Sequence, residues 1–339
     1  MHIVITGGAG FLGVRLARAL IEKKSLAIAG APAEAITRLS LVDRAEPPAD
    51  LLADSRVTAV VGDLNALLAQ SPERVVPSDA KIVFHLAAAV SGECEADFDL
   101  GMHSNLDATR ALLEACRARK TVPTVVFASS LAVFGHSEEQ PLPAVIEDNT
   151  LPTPLTSYGI QKFIGEQLTA DFGRKGFIRG RNVRLMTVSV RPGKPNGAAS
   201  SFFSGMIREP LAGVPGACPV PRDTPVALSS PGLTVRGIIR AAEATDAEWG
   251  PRTAVNLPAL ATTTGEMAAA LERVAGKAVA ALIDWTPDAR IQKIVATWPG
   301  RIDAQRARGL GLLPDADFDT VIRDYIRENP HAIAEVART

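Results

Sequence analysis

The chain holds only two tyrosines, Tyr158 and Tyr325, and the first lies in Tyr158-Gly159-Ile160-Gln161-Lys162. On a helix, a step of four residues puts both side chains on one face. A phenol with a pKa of about 10 is a poor base at neutral pH. A neighbouring ammonium stabilises the phenolate, so the expectation is a tyrosine whose pKa is lowered until it can accept a proton. The motif follows a segment, Val125-Val126-Phe127-Ala128-Ser129-Ser130, that reads as a buried strand ending in two hydroxyls. Open α/β sheets hold ligands at the carboxyl ends of their strands, where such a hydroxyl can hold a substrate oxygen against the tyrosine. Taken singly, YxxxK also describes a surface helical pair, and paired serines also describe a turn.

A second group of residues could hold phosphate. Ile5-Thr6-Gly7-Gly8-Ala9-Gly10-Phe11-Leu12-Gly13 follows an apolar run, and a helical pattern begins at Phe11. In a dinucleotide fingerprint Gly7 permits the tight turn, Gly10 lets the backbone approach a pyrophosphate, and Gly13 lets helix pack on strand. Counted from Gly8 the spacing also satisfies GxGxxG, so the register stays open by one residue. The helix N-terminus offers unpaired N–H groups to the phosphates. Asp43 ends the next apolar run and is placed to accept both ribose hydroxyls, which favours NAD over NADP. Arg44 follows it and could accept a 2′-phosphate. Asp43 stands 30 residues beyond Gly13, about ten more than is usual, so residues 25–35 must lengthen the helix or the following loop. Asp63 closes a third apolar run, where it could meet an adenine amino group.

These residues need a scaffold, and the hydrophobic pattern supplies one. Strands are predicted over 2–6, 37–43, 56–62, 81–86, 124–129 and 182–190, with helices over 11–23, 105–119 and 158–174 between them. This alternation is the mark of βαβ units and a parallel sheet. After Arg191, proline and glycine become frequent, which predicts loops and short elements. Helices return over 233–245, 263–275, 287–297 and 318–329. The fold class expected is α/β, a Rossmann-type doubly wound parallel sheet with a smaller C-terminal substrate-binding region. The nucleotide-binding domain is placed at 1–192, rejoined by about 225–255, and the smaller region at 193–224 and 256–339.

Bulk properties remove other classes. The 339 residues carry a formal net charge of −1, so nothing points to nucleic acid. Three cysteines without a CxxC pair and five histidines without ligand spacing predict neither a disulfide framework nor a metal site. No apolar run is long enough to span a membrane, and the N-terminus shows no signal-peptide pattern. A cytoplasmic enzyme is expected.

Taken together, Thr6-Gly7-Gly8-Ala9-Gly10-Phe11-Leu12-Gly13, Gly62-Asp63-Leu64, His85-Leu86-Ala87-Ala88, Asn105, the stretch from Ser129 to Gly135, the Tyr158–Lys162 motif and Arg191-Pro192-Gly193 resemble the extended short-chain dehydrogenases/reductases, which include the NAD-dependent sugar epimerases and dehydratases. The resemblance implies NAD held by Gly7, Gly10, Phe11, Leu12, Gly13, Asp43, Asp63, Leu64, Ala87, Asn105, Tyr158 and Lys162. It implies Ser130, five residues before Gly135, as the catalytic serine rather than Ser129. Tyr158 is then the proton acceptor, Lys162 its electrostatic partner, and Asn105 a positioning residue behind the proton relay. A homodimer is also implied.

The chain departs from the sugar-nucleotide enzymes after the sixth strand, where it reads Ser189-Val190-Arg191-Pro192-Gly193, and again at Thr234-Val235-Arg236-Gly237. The 191–212 stretch, Trp298-Pro299-Gly300-Arg301 and residues 315–318 resemble instead the branch of the family that oxidises a four-carbon sugar acid, D-erythronate, at C2. Such a small-molecule substrate needs a cation for its carboxylate, and Lys194, Arg191, Arg222 and Arg236 are candidates, with Lys194 and Asn196 the preferred pair. Two other readings remain open: a nucleotide-sugar epimerase or dehydratase, and a non-catalytic NAD-binding regulator.

Overall fold

The computed structural model describes residues 1–119, 121–193 and 198–337. Strand β1 (His2–Thr6) is buried along its length and runs into the glycine turn and helix α1 (Phe11–Lys23). Then come β2 (Arg38–Asp43), β3 (Val57–Val61), α2 (Leu64–Gln70), β4 (Ala80–His85), α3 (Ala108–Arg119), β5 (Thr124–Ser130), α4 (Ser157–Arg174) and β6 (Arg179–Leu185). A short strand β7 (Thr187–Val188) and helix α5 (Ser201–Leu211) follow. The remaining labelled elements are β8 (Pro225–Ser229), α6 (Pro231–Glu243), β9 (Val255–Asn256), β10 (Leu260–Thr263), α7 (Thr264–Ala275) and α8 (Phe318–Glu328).

The main sheet has the order β9-β6-β5-β4-β1-β2-β3, with every pairing parallel. The chain builds outward from β1 through β2 to β3, then crosses to β4 on the opposite side. This reversal opens a crevice above the carboxyl end of β1, the place where such sheets hold ligands. The doubly wound α/β fold expected from the alternating pattern is the fold observed.

Side-chain alternation explains why both faces are covered. Ile3 and Ile5 point into one core with Leu39, Leu41 and Phe84, covered by Leu16 and Leu20 of α1 and Ile238 of α6. Val4 points the opposite way, into a core with Val42, Val83 and Val125, covered by Leu68 of α2 and Leu112, Leu113 and Cys116 of α3. A separate cluster joins α5, α7, α8 and β8 around Phe203, Met206, Met267, Phe318 and Ile322. In α8 the buried residues Phe318, Val321, Ile322 and Tyr325 recur at three- and four-residue steps, one stripe of a helix.

The structure departs from the predicted elements in three places that bear on the site. The expected strand over 182–190 is two strands. The chain leaves the main sheet after Leu185, and β7 pairs with β8, which also pairs antiparallel with β10. Residues 25–35 lengthen neither helix nor loop alone, because Ser25–Leu26 pairs antiparallel with Glu34–Ala35. The helix expected from 105 is preceded by a π-helical turn, Met102–Asp107, which carries Asn105. Such turns widen the backbone ring and re-aim a side chain.

Candidate active site

A cleft of about 600 Å³ lies over the crevice, within the size range of small-molecule and cofactor sites. Gly7, Gly10, Phe11, Leu12, Gly13, Asp43, Asp63, Leu64 and Ala87 line one end, and Ser130, Tyr158, Lys162, Met186, Thr187 and Arg191 line the other.

At the first end the backbone is shaped for phosphate. Gly7 adopts φ +72°, and its N–H donates to Val42 O at 2.8 Å. A Cβ on Gly13 would stand 2.0 Å from Gly7 O, so no side chain fits where α1 meets the turn. Gly10 caps α1 without a side-chain hydrogen bond, and the first turn holds no acidic residue. Its N–H groups and positive dipole end therefore remain for an anion. The Asp43 carboxylate accepts the Ala9 N–H at 3.0 Å and the Ala45 N–H at 3.2 Å, which ties this acid to the glycine turn. A glycine cradle that side chains would block, a helix N-terminus and a carboxylate at the next strand end fit NAD.

The second end is organised by α4. Thr156 caps this helix by accepting the Gly159 N–H at 3.1 Å. A Cβ on Gly159 would lie 2.1 Å from Ala132 O, so glycine is what lets the helix close on the turn at Leu131–Val133. That approach sets Tyr158 beside Ser130. Lys162 is buried, donates from Nζ to Ala128 O at 2.9 Å, and stands 5.6 Å from the centre of the Tyr158 ring. One turn further on, Glu166 accepts two hydrogen bonds from Arg184 of β6, each 2.8 Å, and one from Ser129 Oγ at 2.5 Å. Both members of this pair are buried.

The electrostatics correct one expectation. Burial pushes the Tyr158 phenol up to about 12, opposed by a hydrogen bond with Ser130. The tyrosine pKa is thus raised in the ligand-free cleft, not lowered. Lys162 is itself desolvated, and burial brings it down to about 8, so it carries less charge to lend.

Asn105 lies behind the cleft wall. Its Oδ1 accepts the Ala89 N–H at 2.7 Å, and its Nδ2 donates to Gln161 Oε1 at 2.8 Å. It fixes the residue before Lys162 rather than Lys162 itself. Arg44 is turned onto Asp63, with Nη2 2.6 Å from Oδ2. Among the proposed carboxylate cations, Arg191 lines the cleft, Arg222 is exposed and stacks on Trp285 at 4.0 Å, and Arg236 is exposed on α6. Lys194 and Asn196 lie outside the described residues.

Pattern reading missed Glu166, Arg184, Gln161 and Ser129 as the supports of the site. A signal existed for two of them: Glu166 continues the Tyr158–Lys162 stripe at the same four-residue step, and Arg184 is the lone charge in the strand predicted over 182–190. Pattern reading also missed Ser91, and it held Ser200 and Trp298 only within stretches that resemble the sugar-acid branch, whereas all three line the cleft.

The chain matches the NAD dependent epimerase/dehydratase family over residues 3–247. It belongs to that family. NAD is accordingly its cofactor. A D-erythronate dehydrogenase from Cupriavidus necator is 51% identical over 97% of this chain and 98% of the relative. Another from Haemophilus influenzae is 40% identical over 96% of this chain and 99% of the relative. The crystal structure of the nucleoside-diphosphate-sugar epimerase from Agrobacterium tumefaciens is 40% identical, with a TM-score of 0.89 over 98% of this chain and 95% of that one. No helix among the described residues is long and apolar enough to cross a membrane.

The buried Glu166–Arg184 pair generates a stability prediction. Glu166→Ala strands a buried guanidinium and should cost about 3–5 kcal/mol in urea unfolding. Replacing both partners with methionine should recover most of that loss. A Glu166→Ala protein as stable as the parent would remove the pair from its supporting role.

Proposed function

We infer that this protein oxidises the C2 hydroxyl of a short sugar acid, D-erythronate to 2-dehydro-D-erythronate, with NAD. The observation that carries this reading is the 51% identity to a D-erythronate dehydrogenase over nearly the whole of both chains. A match that includes the segments around the substrate end says more about substrate than the cofactor motifs do. The reading includes a cytoplasmic homodimer, a nucleotide-binding domain at 1–192 rejoined by about 225–255, and a substrate-binding region at 193–224 and 256–339.

NAD, when bound, supplies the hydride acceptor and a positive ring charge. The chain's own residues handle the proton and the orientation. The Tyr158 oxygen takes the proton of the substrate hydroxyl, and the Ser130 hydroxyl holds that oxygen in place. The Lys162 ammonium favours the phenolate. Arg191 is held by its backbone, which donates to Ser204 Oγ at 3.0 Å and accepts from Arg208 Nη1 at 2.8 Å, and the residue lines the cleft. It is the described cation for the substrate carboxylate, with Lys194 and Asn196 completing that subsite in this reading.

The test is NADH production from D-erythronate, L-threonate and D-gluconate, with UDP-sugars assayed in parallel for epimerised or dehydrated product, since those reactions release no net NADH. D-Erythronate should give the highest kcat/KM. Silence on the acids with turnover of a UDP-sugar would replace this reading with the nucleotide-sugar one. Tyr158→Phe should lower kcat by about 10²–10⁴ while leaving NAD affinity, measured by calorimetry, within about twofold.

The pH profile gives a further check. The productive form has Tyr158 deprotonated and Lys162 protonated. Below about 8, where Lys162 stays charged, raising the pH removes one proton and log kcat/KM should climb with a slope of about one. Above that value Lys162 loses its own proton, the two singly protonated forms hold a fixed ratio, and the profile should level off. A profile that is flat or falls with rising pH below about 8 would overturn the requirement for a deprotonated acceptor in this pair.

A further inference from the structure

Arg44 stands next to Asp43, the acid expected at the ribose, and the structure shows where its charge goes. Its Nε and Nη2 donate to Asp63 Oδ2 at 3.2 and 2.6 Å. The other oxygen, Oδ1, accepts the Ala66 N–H at 3.1 Å as the N-cap of α2 and lies 3.4 Å from His103 Nε2. β2 and β3 are parallel neighbours in which Asp43 pairs with Val61. Arg44, one residue past β2, and Asp63, two past β3, therefore emerge at the same end of the sheet, and both line the cleft.

A guanidinium beside the adenosine ribose is the group a 2′-phosphate needs. Here that guanidinium is engaged by a carboxylate, and Asp43 adds a second negative charge nearby. We propose that Asp63 is a cofactor-specificity residue: by holding Arg44 it denies the ribose site that neighbouring cation and turns the chain against 2′-phosphorylated dinucleotides. The side chains of Arg44 and Asp63 are 57% and 32% exposed, so the pair adds little to folding stability. Among the described residues Arg44 has no other partner, so removing the Asp63 charge frees it. The inference rests on NAD as cofactor and not on which alcohol is oxidised.

The test needs no turnover. Calorimetric titrations of 5′-AMP and 2′,5′-ADP are compared for the parent, Asp63→Asn, Arg44→Ala and the double variant at low salt. Asparagine caps a helix about as well as aspartate, so Asp63→Asn keeps α2 intact. Asp63→Asn should shift the affinity ratio toward 2′,5′-ADP by about five- to tenfold. Any contact of Asp63 with adenine is common to both probes and cancels in that ratio. Arg44→Ala should change the ratio little in the parent and abolish the gain in Asp63→Asn. A ratio unmoved within about twofold by Asp63→Asn, or an equal loss from Arg44→Ala in both backgrounds, overturns the proposal.

Discussion

The Glu166–Arg184 pair is the constraint on which the active site depends. Two ions buried together are stable only when their geometry is good and their remaining hydrogen-bonding capacity is used. Here the contact is bidentate, Ser129 donates to the same carboxylate, and Arg184 Nη1 reaches Asn256 Oδ1 at 3.4 Å. The pair therefore joins α4 to three adjacent strands, β5, β6 and β9. Tyr158, Lys162 and Glu166 share one helical stripe, so fixing Glu166 fixes the rotation and height of the other two. Ser129 and Ser130, adjacent on β5, point to opposite faces: one supports the helix and the other faces the cleft.

Burial governs Lys162, and it outweighs the Glu166 carboxylate one turn away, which favours the charged form. Its ammonium is out of water and donates to a neutral carbonyl, that of Ala128. Burial lowers its pKa to about 8, while burial raises the Tyr158 phenol to about 12. The phenol is therefore neutral, and Lys162 keeps its charge only below about 8. A positive charge arriving with the oxidised cofactor would favour the phenolate, which makes proton transfer dependent on an occupied cleft. Behind the wall, His85 is likewise kept neutral, its pKa brought to about 3 by burial and the Lys162 charge. Its ring bridges Thr6 of β1 at 2.6 Å and Thr109 of α3 at 3.0 Å, bracing the strand that feeds the glycine turn.

What was legible in the sequence follows from the range of the interactions. Strand β1, the glycine turn and α1 are specified by residues within one short stretch, and all three stand where the pattern put them. The helix with Tyr158 and Lys162 was readable because its signal is a four-residue step. The direction of the Tyr158 pKa was not, because it is decided by how deeply the phenol itself is buried, a property of the whole packed site. The break at Met186 escaped for a similar reason: apolar residues continue through it, and only pairing with β8, some forty residues later, draws the chain into another sheet. Asn105 was recognised, yet its partners Ala89 and Gln161 depend on a π-helical turn that no periodicity announces.

The two ends of the cleft differ in the same respect. The nucleotide end is made of backbone: glycine φ angles, a helix N-terminus and carboxylates bonded to neighbouring N–H groups. Such features come from local sequence and serve any member of the family. The substrate end is made where separate stretches meet. Ser91 accepts the Ala199 N–H at 3.4 Å, and Trp298 reaches the same cleft from the C-terminal part of the chain. Changing any one of these segments reshapes the pocket without disturbing the nicotinamide chemistry, so one cofactor platform can serve nucleotide sugars or small acids. Full-length similarity therefore carries more weight for substrate than the motifs, because only a match that includes Ser91, Arg191, Ser200 and Trp298 together samples the end of the cleft away from the glycine turn.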